Sequence, residues 1–386
     1  MFKFIYPIPE ILPDNRARFI QIINTCHALA NKGVKVEILT GYRKGYDENK
    51  ILEFYGLSSN ENLKIIPLPI LRREKEKYFR ISCNEVFYFS LLLHLFTHKK
   101  SNSIIFCRHL KLAKFLLKFR KFLKLPMIFE VHEIFHKNEN LKESKKVKIK
   151  NVEIKVYNEF DILICITEHL KNAIEEFLWK KNKIVIIPDA VREEWFTKER
   201  NFNPSFILYT GSLYEWKGVD TLVSSMKFLP NEKLLIIGDG ERLKEIKDLA
   251  TKEKVAPRVI FVGSVSHKEI PKYLSQAKVA VIPNILKGPS LFSSPLKLFE
   301  YMASGIPIVA SDLKVFREIL KPNETAIFFE PGNPESLAEA IKKILNSKEL
   351  ADKLGANAKK IAEQYTYEKR AEKILNICKV LIKNDT

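Results

Sequence analysis

Four short segments of the 386-residue chain combine residue types suited to binding anions and hydroxyl groups. The first is Tyr209-Thr210-Gly211-Ser212-Leu213-Tyr214-Glu215-Trp216-Lys217-Gly218-Val219-Asp220. A glycine-bearing loop leaves an apolar strand there, and a lysine stands just before a helix start. Unpaired N–H groups and the positive dipole end of a helix, with an ammonium beside them, suit a diphosphate. A loop with a solvated lysine is the alternative reading at this point. The second segment, Gly238-Asp239-Gly240-Glu241, is another strand-to-helix turn. Its glycines permit positive φ and close backbone approach, which many turns need for geometry alone. The third runs from Ser293 and Ser294 through Pro295, Leu296 and Lys297 to Glu300, and on to Gly305-Ile306-Pro307. Small residues and a proline set a helix N-terminus to meet an anion. Glu300, one turn inside, can accept hydrogen bonds from both hydroxyls of a ribose. The fourth is Phe129-Glu130-Val131-His132-Glu133, an apolar strand ending in a His-Glu pair. His132 can bind a sugar hydroxyl or assist proton movement, or it is a satisfied histidine at a strand end.

The elements that must position these residues alternate along the whole chain. Strands are expected at Lys3–Tyr6, Val34–Leu39, Leu63–Ile66, Ser103–Cys107, Met127–Val131, Ile162–Ile166 and Ile184–Ile187. A second series lies at Phe206–Thr210, Lys233–Ile237, Val259–Val262, Val279–Ile282, Ile306–Ala310 and Ala326–Phe329. Most are flat runs of Val, Ile and Leu, the pattern of a parallel sheet covered on both faces. Helical patterns between them imply right-handed βαβ units. A polar stretch near Val191–Pro204 separates the two series and reads as a linker, so the fold class is α/β with two doubly wound, Rossmann-like domains facing a cleft. Ligands of such sheets bind beyond the C-terminal strand ends, where all four segments lie.

The net charge of +19 leans toward the first half, with 35 Lys/Arg and 23 Asp/Glu in residues 1–195 against 30 and 23 in 196–386. Such a field attracts phosphorylated substrates, an anionic membrane surface or nucleic acid. No recognition motif accompanies the charge, so nucleic acid ranks last. Three basic stretches stand out. Leu110–Lys124 reads as an amphipathic helix, packed on the sheet or lying on a membrane. Lys142–Lys150 reads as a mobile or solvated segment, and Arg72, Arg73, Lys75, Lys77 and Arg80 as similar. The longest apolar run, Val86–Phe96, is too short to span a bilayer and reads as a buried helix. Five scattered cysteines form no Cys-x-x-Cys pair and suit buried free thiols. Phe2–Ile8 lacks the charged flank of a secretory leader, so a cytoplasmic location, with association at the inner membrane face, is expected.

From Phe206 to about Arg370 the chain resembles retaining glycosyltransferases of family 4, which have the GT-B fold. The resemblance rests on the 211–220 segment, the Gly-Asp-Gly-Glu turn and Phe299-Glu300-Tyr301-Met302-Ala303-Ser304-Gly305-Ile306-Pro307. It is weaker in the first half, through Asn24–Gly33, Glu130–Glu133 and Pro188–Val191. It implies a hexosyltransferase acting from a nucleotide-diphosphate sugar, with no metal and no cofactor, in polysaccharide, lipopolysaccharide or glycolipid synthesis. Residues 1–195, with 366–386 crossing back, would bind a saccharide or lipid-linked acceptor, and 196–365 the donor. Lys217 would hold the diphosphate and Glu300 the ribose. The backbone around Val262, Gly263 and Ser264 would meet the base, and His132 the transferred sugar. Gly211, Ser212, Gly238, Gly240, Ser294, Leu296 and Lys297 would complete the donor site. Three positions depart from the family pattern. Ser212 stands where an arginine is common, and Phe292 where a second glutamate is common, so Lys297 would supply a compensating cation. The loop Pro7–Arg18 lacks the usual glycine pair, leaving Asn15, Arg16 or Arg18 to meet an anion. Ser212 and Phe292 also suit a non-catalytic nucleotide-sugar-binding subunit.

Overall fold

The computed structural model describes residues 2–70, 83–100, 102–179, 183–196 and 204–384. The basic run from Arg72 to Arg80 and the middle of the expected linker lie outside the described residues. The chain forms two compact units. One comprises Met1–Ile166, Leu170–Ile187 and Tyr367–Thr386, and the other Thr167–His169 and Pro188–Thr366. The division therefore precedes the expected boundary at residue 195. Val191 and Trp195 are core residues of the second unit, and Val191 N–H donates to the Tyr365 carbonyl at 2.9 Å.

The first unit holds seven parallel strands: β1 (Lys3–Ile11), β2 (Lys35–Gly41), β3 (Leu63–Leu68), β4 (Ser103–Cys107), β5 (Met127–Val131), β6 (Ile162–Cys165) and β7 (Ile184–Ile186). Their order is β3-β2-β1-β4-β5-β6-β7. The second unit holds β8 (Phe206–Thr210), β9 (Leu234–Ile237), β10 (Val259–Gly263), β11 (Ala277–Ile282), β12 (Ile308–Ser311) and β13 (Ile327–Phe329), in the order β10-β9-β8-β11-β12-β13. Successive side chains of a strand point to opposite faces. Ile207, Tyr209, Val279 and Val281 accordingly join one core of the second unit, while Leu208, Ala280 and Ile282 join the other. Because both faces are covered, these strands read as flat apolar runs.

β1 runs five residues beyond its expected end, through Pro7 and Pro9. It pairs with β4 only from Lys3 to Ile5, and beyond that its partner is β2 alone. A proline, having no N–H, is tolerated where one flank of a strand is unpaired.

Of two further basic segments, one differs from expectation and one follows the packed-helix reading. Residues 142–150 enter a long helix, Glu143–Glu159, anchored by buried Glu153, Val156 and Tyr157. Glu153 is the missing clue. Its carboxylate accepts from the backbone N–H groups of Phe135 (2.7 Å) and His136 (3.3 Å), which ties the helix to the chain after β5. Leu110–Leu123 forms two short helices whose Leu110, Leu112, Ala113, Leu116, Leu117 and Leu123 are buried, with the lysines outward. The apolar run 86–96 lies in the helix Cys83–His98 and is only half buried: Phe87, Leu91 and Leu95 face the core, whereas Phe89, Leu93 and Phe96 face solvent.

The last helix, Tyr367–Asn384, belongs to the first unit. Its Lys32–Glu372 ion pair (2.9 Å) is partly exposed, but Arg370 is buried. The Arg370 guanidinium donates to Thr25 Oγ1 (3.1 Å), to the Ile187 carbonyl (2.9 Å) and to the Glu130 carboxylate. Removing one partner of a buried ion pair costs about 3–5 kcal/mol, because the other charge is stranded. Arg370→Leu is therefore expected to destabilise the first unit by that order in equilibrium urea unfolding at pH 7. A carboxyl held below its usual range stabilises the fold above the ordinary pKa of about 4.3 and loses that contribution as pH falls below it. The gap between wild type and variant should accordingly narrow in acid.

Candidate functional site

In the second unit the expected donor residues converge on the C-terminal ends of β8, β9 and β10. Gly211 N–H donates to the Ile237 carbonyl at 2.8 Å, and Gly238 N–H to the Gly263 carbonyl at 2.8 Å. The two turns touch so closely that a Cβ on Gly238 (φ 139°) would lie 2.0 Å from Gly211 O. A Cβ on Gly240 would lie 2.6 Å from Leu213 N. Glycine is required at both by this approach of one loop to the other. Ser212 offers its carbonyl to the Tyr209 hydroxyl at 2.7 Å.

Lys297 opens the helix Leu296–Ala303, every residue of which is buried. Its ammonium lies against Gly211, where a Cβ would sit 2.9 Å from Nζ, and over the Tyr209 ring, 3.7 Å from the centroid. That Nζ is buried and has no hydrogen-bond partner among the described residues. Lys217 is also buried, with Nζ 3.8 Å from the centroid of Trp216. Burial brings the Lys217 ammonium down to about 7. Burial, then repulsion from Lys217, pushes Lys297 well below the usual lysine range, against the pull of Glu300. Two neighbouring amines thus share a buried site whose walls are aromatic faces and a glycine backbone.

Glu300 is buried in the same helix, one turn on. Its Oε1 takes the ring N–H of His267 at 2.7 Å, while Oε2 has no hydrogen bond among the described residues. His267 in turn packs on Trp195, with ring centroids 5.1 Å apart. The sequence reading missed His267. The signal for it was the Ser266–Glu269 capping box, which fixes the turn that carries it. Ser294 Oγ accepts from Asp189 N–H at 3.2 Å and so pins the segment before the helix. Phe292, at the position where the family commonly has a glutamate, is buried and stacks on His169 with centroids 5.7 Å apart. Val262 is half-buried against the core, and Gly263 (φ 83°) has open space around its Cα.

In the first unit, His132 follows β5, and its Nε2 lies 2.8 Å from Glu130 Oε2. A carboxylate only accepts, so Nε2–H donates and Nδ1 keeps its lone pair. Burial alone would raise the Glu130 carboxyl, but Arg370 and His132 outweigh it and hold the group well below the usual carboxylate range. Burial, with Arg108 nearby, brings His132 down to about 4, so the ring is neutral at pH 7. Gln21 links Glu130 (3.1 Å) to Arg108 (3.1 Å). His132, Glu133, Arg108 and Arg18 line a cavity of about 820 Å³ within this unit. Its floor is apolar, from Ile8, Phe19 and Leu110, and its rim carries Lys111, Lys114 and Lys148.

The arginines of the first loop are held by local carboxylates. Arg16 pairs with Asp14 (2.7 Å) and Glu10 (2.9 Å), and Arg18 pairs with Glu10 (2.6 Å). Two local carboxylates therefore already neutralise the charges anticipated for an anion. Asn15 is exposed. Among the described residues no three His, Cys, Asp or Glu come together as a metal-ligand set, and no helix is long and apolar enough to cross a membrane.

Comparison with known proteins agrees with this geometry. Residues 191–361 match the family described as glycosyl transferases group 1, and residues 20–195 match glycosyltransferase family 4. An uncharacterised glycosyltransferase of Methanocaldococcus jannaschii is 31% identical over 178 residues, which are 45% of this chain and 44% of that protein. The chain spans 44% to 60% of the length of three curated relatives it matches. Sucrose-phosphate synthase from Thermosynechococcus elongatus superposes with a TM-score of 0.80 at 20% identity, over 100% of both chains. HepE of Anabaena, solved in complex with UDP-glucose, superposes with a TM-score of 0.77 at 14% identity, over 98% of this chain and 100% of that one. With family matches over both halves and two Rossmann-like sheets of this topology, the chain belongs to the group 1 glycosyltransferases of the GT-B fold.

Proposed function

We propose that the chain is a retaining, metal-independent hexosyltransferase that moves a sugar from a nucleoside-diphosphate sugar to an acceptor hydroxyl. The observation that carries this reading is the pair of buried amines, Lys217 and Lys297, beside the Gly211 turn, neither hydrogen-bonded to a carboxylate among the described residues. Buried amines with no hydrogen-bonded carboxylate call for an anionic ligand, and a diphosphate brings two or more negative charges. Lys297 then fills the role of the arginine that Ser212 does not supply. The free Oε2 of Glu300 accepts from a ribose hydroxyl, and His267 holds the carboxylate in place for it. The open backbone at Gly263 admits the base. The UDP-glucose bound by HepE makes a uridine donor the first to test.

In the proposed reaction the bond between the anomeric carbon and the diphosphate oxygen breaks, and the electron pair leaves with the diphosphate. Lys217 and Lys297 stabilise the charge that develops there. The acceptor oxygen bonds to the anomeric carbon on the same face, and its proton passes to the departing diphosphate. His132, neutral with Nδ1 as an acceptor, can take a hydrogen bond from a sugar hydroxyl. The cavity of the first unit, apolar below and cationic at its rim, suits an acceptor that carries both a hydrocarbon portion and an anionic group.

Thermal stabilisation by UDP, GDP and ADP, free and sugar-linked, tests the donor site. Wild type should shift with one base, and Lys217→Ala, Lys297→Ala and Glu300→Ala should each lose most of that shift while staying folded. Variants that respond like wild type overturn the assignment. Nucleotide binding with no diphosphate release across a donor and acceptor panel would identify a binding subunit instead, and NMR of the product's anomeric proton decides retention.

The pH dependence follows from the lysines. Burial lowers Lys217 to about 7 and lowers Lys297 as well, so a diphosphate binds with proton uptake. Affinity measured by titration calorimetry should fall as pH rises above 7, by up to about tenfold per pH unit for each proton taken up. Lys217→Met should bind more weakly and with a shallower slope.

A further inference from the structure

We infer that the first unit docks on an anionic lipid bilayer through the outer face of the helix Cys83–His98 and the adjoining Phe122. Large apolar side chains are normally scattered singly on a protein surface. Here Phe89, Leu93 and Phe96 are 60%, 67% and 45% exposed, and Phe122 is 68% exposed. Positions 89, 93 and 96 follow the i, i+4, i+7 spacing of one helical face. Phe87, Leu91 and Leu95, on the other side, are buried. The helix therefore carries two apolar faces, and the core uses one.

The exposed residues are joined by contacts. Phe89 meets Phe115 edge-on at 5.7 Å, and Phe115 meets Phe119 at 5.2 Å. Lys99 lies over the Phe96 ring at 5.6 Å and donates to the carbonyls of Phe122 (3.0 Å) and Leu123 (2.7 Å). One surface thus runs from Phe89 to Phe122.

Charge decides the occupant. Residues 86–129 contain nine Lys and Arg and no Asp or Glu. Lys100, Lys118, Lys121 and Lys124 are exposed and have no carboxylate partner among the described residues. Exposed aromatic and aliphatic side chains on a segment rich in lysines without carboxylate partners match a bilayer with anionic head groups, where the rings enter the acyl boundary and the ammonium groups meet phosphate. A second copy of this chain would bring the same cations face to face. The inference goes beyond sugar transfer and does not depend on the donor site.

The test is vesicle co-sedimentation of the full chain at low and high salt. The vesicles are phosphatidylcholine alone, or equal parts phosphatidylcholine and phosphatidylglycerol. Wild type should pellet with the anionic vesicles, remain in solution with the neutral ones, and release as salt rises. Phe89→Ser/Leu93→Ser and, separately, Lys118→Glu/Lys121→Glu should each lower the bound fraction about tenfold or more. Circular dichroism melting confirms that each variant is folded. The nucleotide-dependent thermal shift is measured alongside, and its absence in wild type would count against the donor reading alone. The docking inference is overturned if wild type ignores anionic vesicles, or if both folded double variants pellet as it does. It is also overturned if ultracentrifugation shows a wild-type dimer that the Phe89→Ser/Leu93→Ser variant disperses, since a second copy would then cover the face.

Discussion

Two amines buried side by side, neither hydrogen-bonded to a carboxylate among the described residues, are the constraint around which the second unit is organised. Desolvating an ion costs several kcal/mol even after relaxation, and like charges add to that cost. The structure softens it in two ways. Both ammonium groups lie on aromatic faces, contacts worth about 2 kcal/mol or more when desolvated. Burial also lowers both pKa values, that of Lys217 to about 7. The glycine turns then serve a purpose beyond chain reversal. Side chains at 211 and 238 would occupy the space where Lys297 Nζ and the facing carbonyl now lie.

The first unit solves the opposite problem, a buried carboxylate. Glu130 is held by Arg370, Gln21 and His132, and this fixes which ring nitrogen of His132 carries its proton. A residue of the C-terminal helix thereby controls the chemistry of a histidine far away in sequence. Phe129-Glu130-Val131 carried the hint: a charge inside an otherwise apolar strand requires a partner. Nothing local pointed to Arg370, because the partner comes from the other end of the chain.

Much of the architecture was legible because parallel strands covered on both faces leave a flat apolar signature, and all thirteen were found. The turns at Gly211 and Gly238 were legible as well, since close approach leaves few alternatives to glycine. Boundaries were lost where the deciding interaction was tertiary. β1 extends through Pro7 and Pro9 because β4 pairs with only its first residues. Residues 142–150 become helical because buried Glu153, further along, ties the helix to the main chain after β5. The segment 86–96 was misread for a different reason: composition reports how apolar a helix is, and its packing decides how many of its faces are covered. Arg16 and Arg18 pair with Glu10 and Asp14, a few residues away, which charge counting alone does not reveal.

The division of the chain also bears on how it is made. The first unit takes its strands from the first 187 residues, yet its closing helix begins at Tyr367. A ribosome that has delivered residue 366 has supplied the whole second unit and left the first without its last helix. During that interval Glu130 lacks the guanidinium that neutralises it in the finished protein. The first unit therefore completes its core only after the whole second unit has been synthesised, a departure from the usual N-to-C order of domain folding.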